Sequence, residues 1–232
     1  MLQIIPSESR NLSDFGWLQA RWHFSFGHYH DPSNTHWSTL RVFNDDIILG
    51  GGKFETHPHA NMEIITYVIS GALEHKDSVG NKGIIHPGEV QVMSAGTGIE
   101  HSEANASPTE PLRLLQLWLF PRTKGLKPRW EQKQFTPDQR AGKLLPVVSD
   151  GSIADSLQID QDATIFVSEL KPGQSVTYES KPGRHAYAFI ITGAATLNGN
   201  ELKSGDQARI EGETKMEFTA NAATHLILLD LP

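Results

Sequence analysis

Short apolar runs separated by glycine, proline and asparagine punctuate this chain from end to end. Residues 62–69 (MEIITYVI) form a near-continuous apolar and β-branched run, the pattern of a buried strand. Residues 72–78 alternate and run into Val79-Gly80-Asn81, a hairpin-type turn. Residues 90–93 and 112–120 read as further strands, the second interrupted by Arg113 and Gln116. Upstream, residues 40–43 read as a strand, Asn44-Asp45-Asp46 as a turn, and Ile47-Ile48-Leu49 as the approach to Gly50-Gly51-Gly52. Residues 21–30 loosely alternate aromatics with small or polar residues, which assigns Trp22 to Tyr29 to the core. Strands this closely spaced predict an all-β, closed or sandwiched architecture.

The pattern breaks over residues 121–145, which are polar and carry Pro121, Pro128 and Pro137. That stretch reads as a linker, with a short helix started by Thr136-Pro137. Strands resume at residues 164–170, 175–179, 186–191, 195–197 and 225–229. The second half also repeats the order of the first. Residues 186–193 (AYAFIITG) parallel 63–71 (EIITYVISG), and Leu202-Lys203-Ser204-Gly205-Asp206 parallels Ile85-His86-Pro87-Gly88-Glu89. The expected division is therefore residues 1–120, a linker over 121–145, and residues 146–232.

Composition narrows the function classes. The 232 residues carry a net charge of −7 with histidine neutral and no Lys/Arg run, which disfavours direct nucleic-acid binding. There is no cysteine, so disulfides and thiolate metal sites are excluded. The apolar run at residues 2–5 is too short for a signal-peptide core, and no stretch approaches the roughly 18 apolar residues of a membrane span. The expectation is a cytoplasmic monomer with no membrane association.

Two pairs of metal-capable side chains stand out: His57-Pro58-His59 and His101-Ser102-Glu103. Residues two apart on a strand share a face, so each pair offers two donors in one direction. A hairpin or barrel would bring the pairs together. Three imidazoles and one carboxylate suit a borderline first-row metal and leave positions open for chemistry. The equivalent place in the second half offers residues 177–179 and no His-x-His. His23, His28, His30, His36, His75 and His86 are assigned to structural or surface roles, and His185 and His225 are not expected to form a second metal site.

The spacing Gly51-x5-His57-x-His59-x3-Glu63, followed by Gly71, resembles the first motif of the cupins. Pro87-Gly88-Glu89, with Met93 to Ile99 and then His101-Ser102-Glu103, resembles the second motif as the pirin family writes it. Trp22 to Phe26, Leu40-Arg41-Val42-x-Asn44-Asp45-Asp46 and Leu73-Glu74-His75-x-Asp77-Ser78 are similar to that family too. The resemblance is dense over about residues 15–120 and thin afterwards. It implies a bicupin of two packed β-barrels with the metal in the N-terminal one, held by His57, His59, His101 and Glu103. Glu63, the ligand in many other cupins, is the alternative carboxylate, and strand parity would put it on the face of His57 and His59. The resemblance further implies a metal-dependent dioxygenase similar to flavonol (quercetin) 2,3-dioxygenases. Fe(II) is the expected metal, with Zn, Mn, Co, Ni or Cu as alternatives. A small phenolic or flavonoid substrate and O2 are the expected partners, with Glu103 taking the substrate's hydroxyl proton. Eukaryotic pirins are instead linked to transcriptional co-regulation, which supplies a second reading as a metal-binding regulatory protein. A cupin isomerase, hydrolase or storage barrel is the third, because fold does not fix function.

Overall fold

The computed structural model describes residues 1–232 and divides them into two compact units. One comprises residues 11–135 and 157–161, the other residues 1–10, 136–156 and 162–232. Both are built from antiparallel strands, and no helix is long and apolar enough to cross a membrane.

In the first unit a large sheet runs in the order Arg129–Gln134, Glu89–Ser94, Glu63–Ser70, Leu112–Leu119, Leu40–Ile48, Leu18–Trp22 and Asn11–Asp14. A four-stranded sheet runs Lys53–His59, Ile99–Asn105, Leu73–Asp77, Lys82–Ile85. Alternation along the strands sends one set of side chains between the sheets. Leu18, Ala20, Trp22, Ile48, Val68, Leu73, Ile85, Leu112 and Leu114 form the main cluster there.

The second unit repeats the plan. Its four-stranded sheet has the order Ser175–Glu179, Lys215–Ala220, Ala194–Leu197, Asn200–Lys203, the same first-last-second-third arrangement. Its interior differs. Val176, Met216 and Phe218, on strands corresponding to Lys53–His59 and Ile99–Asn105, enter an apolar cluster with Phe166, Ile190 and Leu228.

Three expectations need correction. The first ten residues are part of the second unit: Leu2–Ile5 pairs with Gln207–Glu211, and Leu2 and Ile4 pack on its cluster. Residues 121–145 are not simply a linker, because Arg129–Gln134 pairs residue for residue with Glu89–Ser94. Trp130 explains this, since its ring packs on the cluster of Ile64, Met93, Ala95 and Ile99. The helix Pro137–Arg140 does form, capped by Thr136. Asn44-Asp45-Asp46 is not a turn but the middle of the continuous strand Leu40–Ile48, with all three residues buried. Asp45 is accommodated by Arg113, whose Nε and Nη2 donate to its two carboxylate oxygens at 2.9 and 3.1 Å. Asn44 and Asp46 sit on the opposite face, toward the site described next.

Candidate metal centre

The strand Ile99–Asn105 carries the site. Its burial alternates so that His101, Glu103 and Asn105 point inward. The corner before it depends on Gly96, whose φ is +49° and where an added Cβ would lie 2.0 Å from the Leu126 carbonyl oxygen. No other residue fits there without moving that backbone.

His57 lies directly across from His101 in the sheet, and His59 across from Ile99. The register then slips, with Glu103 opposite Phe54. Ser102 on one strand thus opposes both Glu55 and Thr56 on the other, which is a β-bulge. Its effect is to bring Phe54, His57 and His59 onto one face although Phe54 and His57 are three apart. Across the bulge His57 Nδ1 donates to the Glu55 carbonyl oxygen at 2.7 Å, which turns Nε2 away from that backbone.

The three imidazoles converge. Ring centroids are 4.4 Å apart for His57–His101 and 4.9 Å for both His57–His59 and His59–His101. Their donor nitrogens lie within 4.8 Å of one another. A second trio, His75, His101 and Glu103, meets the same criterion and shares His101. His75, assigned from sequence to a structural role, is fully buried, stacks on Trp130 and bonds Asp77 at 3.3 Å through Nε2. Its place in the alternating stretch before Asp77 put it on the inner face, and that was the signal available.

Burial keeps two of the imidazoles unprotonated. Burial, then the neighbouring His57, lowers His59 to about 4. Burial, then His57, His59 and His75, lowers His101 to about 2. Both are therefore neutral near pH 7, the state in which imidazole binds metal. His59 Nε2, His75 Nδ1 and both His101 nitrogens are buried without a hydrogen-bond partner. Unpartnered buried nitrogens are costly, and a metal ion would satisfy lone pairs that the protein leaves bare.

Glu103 is held differently. Gln91 Nε2 donates to one oxygen at 3.1 Å and Gln116 Nε2 to the other at 2.9 Å. The direction of these bonds is forced. Trp130 Nε1, which can only donate, points at Gln91 Oε1 at 2.8 Å and so turns the Gln91 nitrogen toward Glu103. Gln91 also donates to Thr66 Oγ1, whose hydroxyl in turn donates to Gln116 Oε1 at 2.7 Å. Gln91, Thr66 and Gln116 stand opposite one another on adjacent strands, so the chain of bonds follows the register. Every donor favours an accepting carboxylate, yet burial outweighs them and raises Glu103 to about 7.

Glu63 takes a different position. The chain turns at Asn61, whose φ is +50°, and enters the large sheet, so strand parity with His57 and His59 does not carry through. Glu63 accepts from Ser94 Oγ at 2.5 Å, and burial raises its carboxyl.

Above His57 and Glu103 opens a cavity of about 500 Å³. Its walls are mainly aromatic: Phe15, Trp17, Trp22, Phe26, Phe54 and Trp118. Trp22, read as core, is both: it packs in the main cluster and lines this cavity. His28 also lines it, beside Asn44, Asp46 and Gln116. The arrangement offers an N/O donor set at the base of a space suited to a planar aromatic molecule.

Comparison with known proteins identifies the relatives of this chain. The chain matches the Pirin family over residues 6–119 and the quercetinase C-terminal cupin domain over residues 146–231. It is 42% identical over 231 residues to a pirin-like protein of Caulobacter vibrioides, covering 99% of each. It is 40% identical over 233 residues to quercetin 2,3-dioxygenase of Escherichia coli K12, covering 100% of this chain and 99% of that one. Among solved structures it is similar to the bacterial pirin YhhW of Escherichia coli in complex with nickel(II), with a TM-score of 0.95, 38% identity, and coverage of 100% and 99%.

Proposed function

This chain belongs to the pirin family of cupins, and from that premise we propose that it cleaves a flavonol with O2 at a single metal centre formed by His57, His59, His101 and Glu103. The observation that carries the reading is the convergence of three imidazoles, with unpartnered buried nitrogens on His59 and His101, beside an aromatic cavity. A divalent metal bound there would supply a Lewis acid for the substrate's hydroxyl oxygen. Iron(II) is the metal we propose, with nickel among the alternatives because a relative is described in complex with it.

The residues of the chain do the rest. Trp17, Trp22, Phe54 and Trp118 enclose the flat ring system and exclude water. His57 is fixed in orientation by its bond to the Glu55 carbonyl, which turns Nε2 away from that bond. Glu103, the one carboxylate of the set, accepts the flavonol hydroxyl proton. Gln91 and Gln116 hold its oxygens while it does so. The overall change balances as flavonol plus O2 giving the ring-opened ester and carbon monoxide.

The test is incubation of protein loaded in turn with Fe, Mn, Co, Ni and Cu with quercetin under oxygen. Loss of the flavonol absorption is expected with at least one metal. No loss with any of them sinks this substrate.

A further inference from the structure

The cavity contains a carboxyl group that the reading above does not use. Asp46 lies within the strand Leu40–Ile48, is 5% exposed and lines the cavity. Its cross-strand neighbours are Ala20 and Leu114, neither of which has a polar side-chain atom. Its Oδ1 is buried without a hydrogen-bond partner. The adjacent Asp45 faces the other way and takes the Arg113 guanidinium. Burial, and the charges of Asp45 and Glu103, hold the Asp46 carboxyl well above the usual carboxylate range.

A buried carboxyl with an unpartnered oxygen in an aromatic pocket is costly to keep. Removing it would relieve that cost, so its presence calls for a partner that enters with the ligand. A carboxyl of either protonation state pairs with a hydroxyl, which can donate and accept. The walls around it accept a flat ring. We propose that Asp46 is a specificity residue of this cavity, which binds a second hydroxyl of an aromatic substrate whose first hydroxyl lies at the imidazole trio. The substrate class is thereby narrowed to polyhydroxylated aromatics, and the assignment rests on the flavonol-cleaving reading above.

The test is an anaerobic titration of metal-loaded protein, followed by quenching of tryptophan fluorescence from the cavity walls. Two ligands are compared: quercetin, and 3-hydroxyflavone, which keeps the ring system and a single hydroxyl. The wild type should prefer quercetin by roughly 10- to 100-fold, the worth of a hydrogen bond to a carboxyl. Asp46→Leu should lose most of that preference while binding 3-hydroxyflavone about as well as the wild type. Asp46→Ala, which cannot overpack the site, should do the same. An unchanged preference in both variants overturns the assignment, as does equal weakening of both ligands at full metal content. If wild-type protein consumes quercetin and the variants keep the preference, only the Asp46 assignment falls. If loaded wild-type protein neither binds nor consumes quercetin, the flavonol reading falls and takes this one with it.

Discussion

Replacing Glu103 by Gln tests why a carboxylate is buried at this position. Burial raises Glu103 from 4.5 to about 7, even though two amides donate to it. At about 1.4 kcal/mol per pH unit, this corresponds to about 3 kcal/mol in the metal-free protein. The sign follows from proton binding. Between pH 4.5 and 7 the folded state keeps a proton that the unfolded chain gives up. The contribution is therefore fully present below pH 4.5 and is lost as the pH rises through 7. Glu103→Gln cannot titrate and escapes this loss. It also removes a charge that pushes Asp46 upward, which acts in the same direction. The introduced side-chain amide does meet two amide donors fixed by Trp130 and Thr66, but that cost is the same at every pH. The slope therefore carries the test. In thermal melts of metal-free protein, the Tm of Glu103→Gln minus that of wild type should rise by on the order of 5–10 °C between about pH 4.5 and 8. With saturating divalent metal the order at about pH 8 should reverse, because wild type gains more from binding. A difference that stays flat with pH in metal-free protein refutes the argument that the buried charge is costly without a cation.

Two further outcomes are expected. His59→Ala or His101→Ala should lower metal occupancy at least about tenfold by elemental analysis after dialysis, whereas His185→Ala, whose native Nδ1 bonds the Pro232 carbonyl, should not. Trp130→Phe should cost about 1 kcal/mol in denaturant unfolding and weaken metal binding roughly tenfold, because Gln91 loses the donor that fixes its orientation toward Glu103.

Much of this architecture was legible in the sequence because strands and turns have local signatures. The run over residues 62–69 and the repeat beginning at residue 186 became corresponding strands, Glu63–Ser70 and His185–Thr192, in two similar units. The i, i+2 spacing of His101 and Glu103 could be read because their strand is regular. What stayed hidden depends on partners far along the chain. The bulge that turns Phe54 to the face of His57 exists only in the pairing with Ile99–Asn105. The role of Arg129–Gln134 is set by Trp130 reaching Gln91 and His75. Glu63 was placed by parity across Asn61, where the chain leaves one sheet for the other. The most informative error was at Asn44-Asp45-Asp46. Three turn-forming residues lie mid-strand because Arg113 neutralises one and the cavity claims the other two. Local rules fail there because tertiary context overrides propensity.

Carbon monoxide release from quercetin under oxygen, by metal-loaded wild type and by His101→Ala, tests the central claim most directly. One molecule of carbon monoxide per flavonol consumed by wild type, and none from the variant, is the predicted result. Full metal occupancy in wild type with no carbon monoxide, or equal release by the variant, would contradict it.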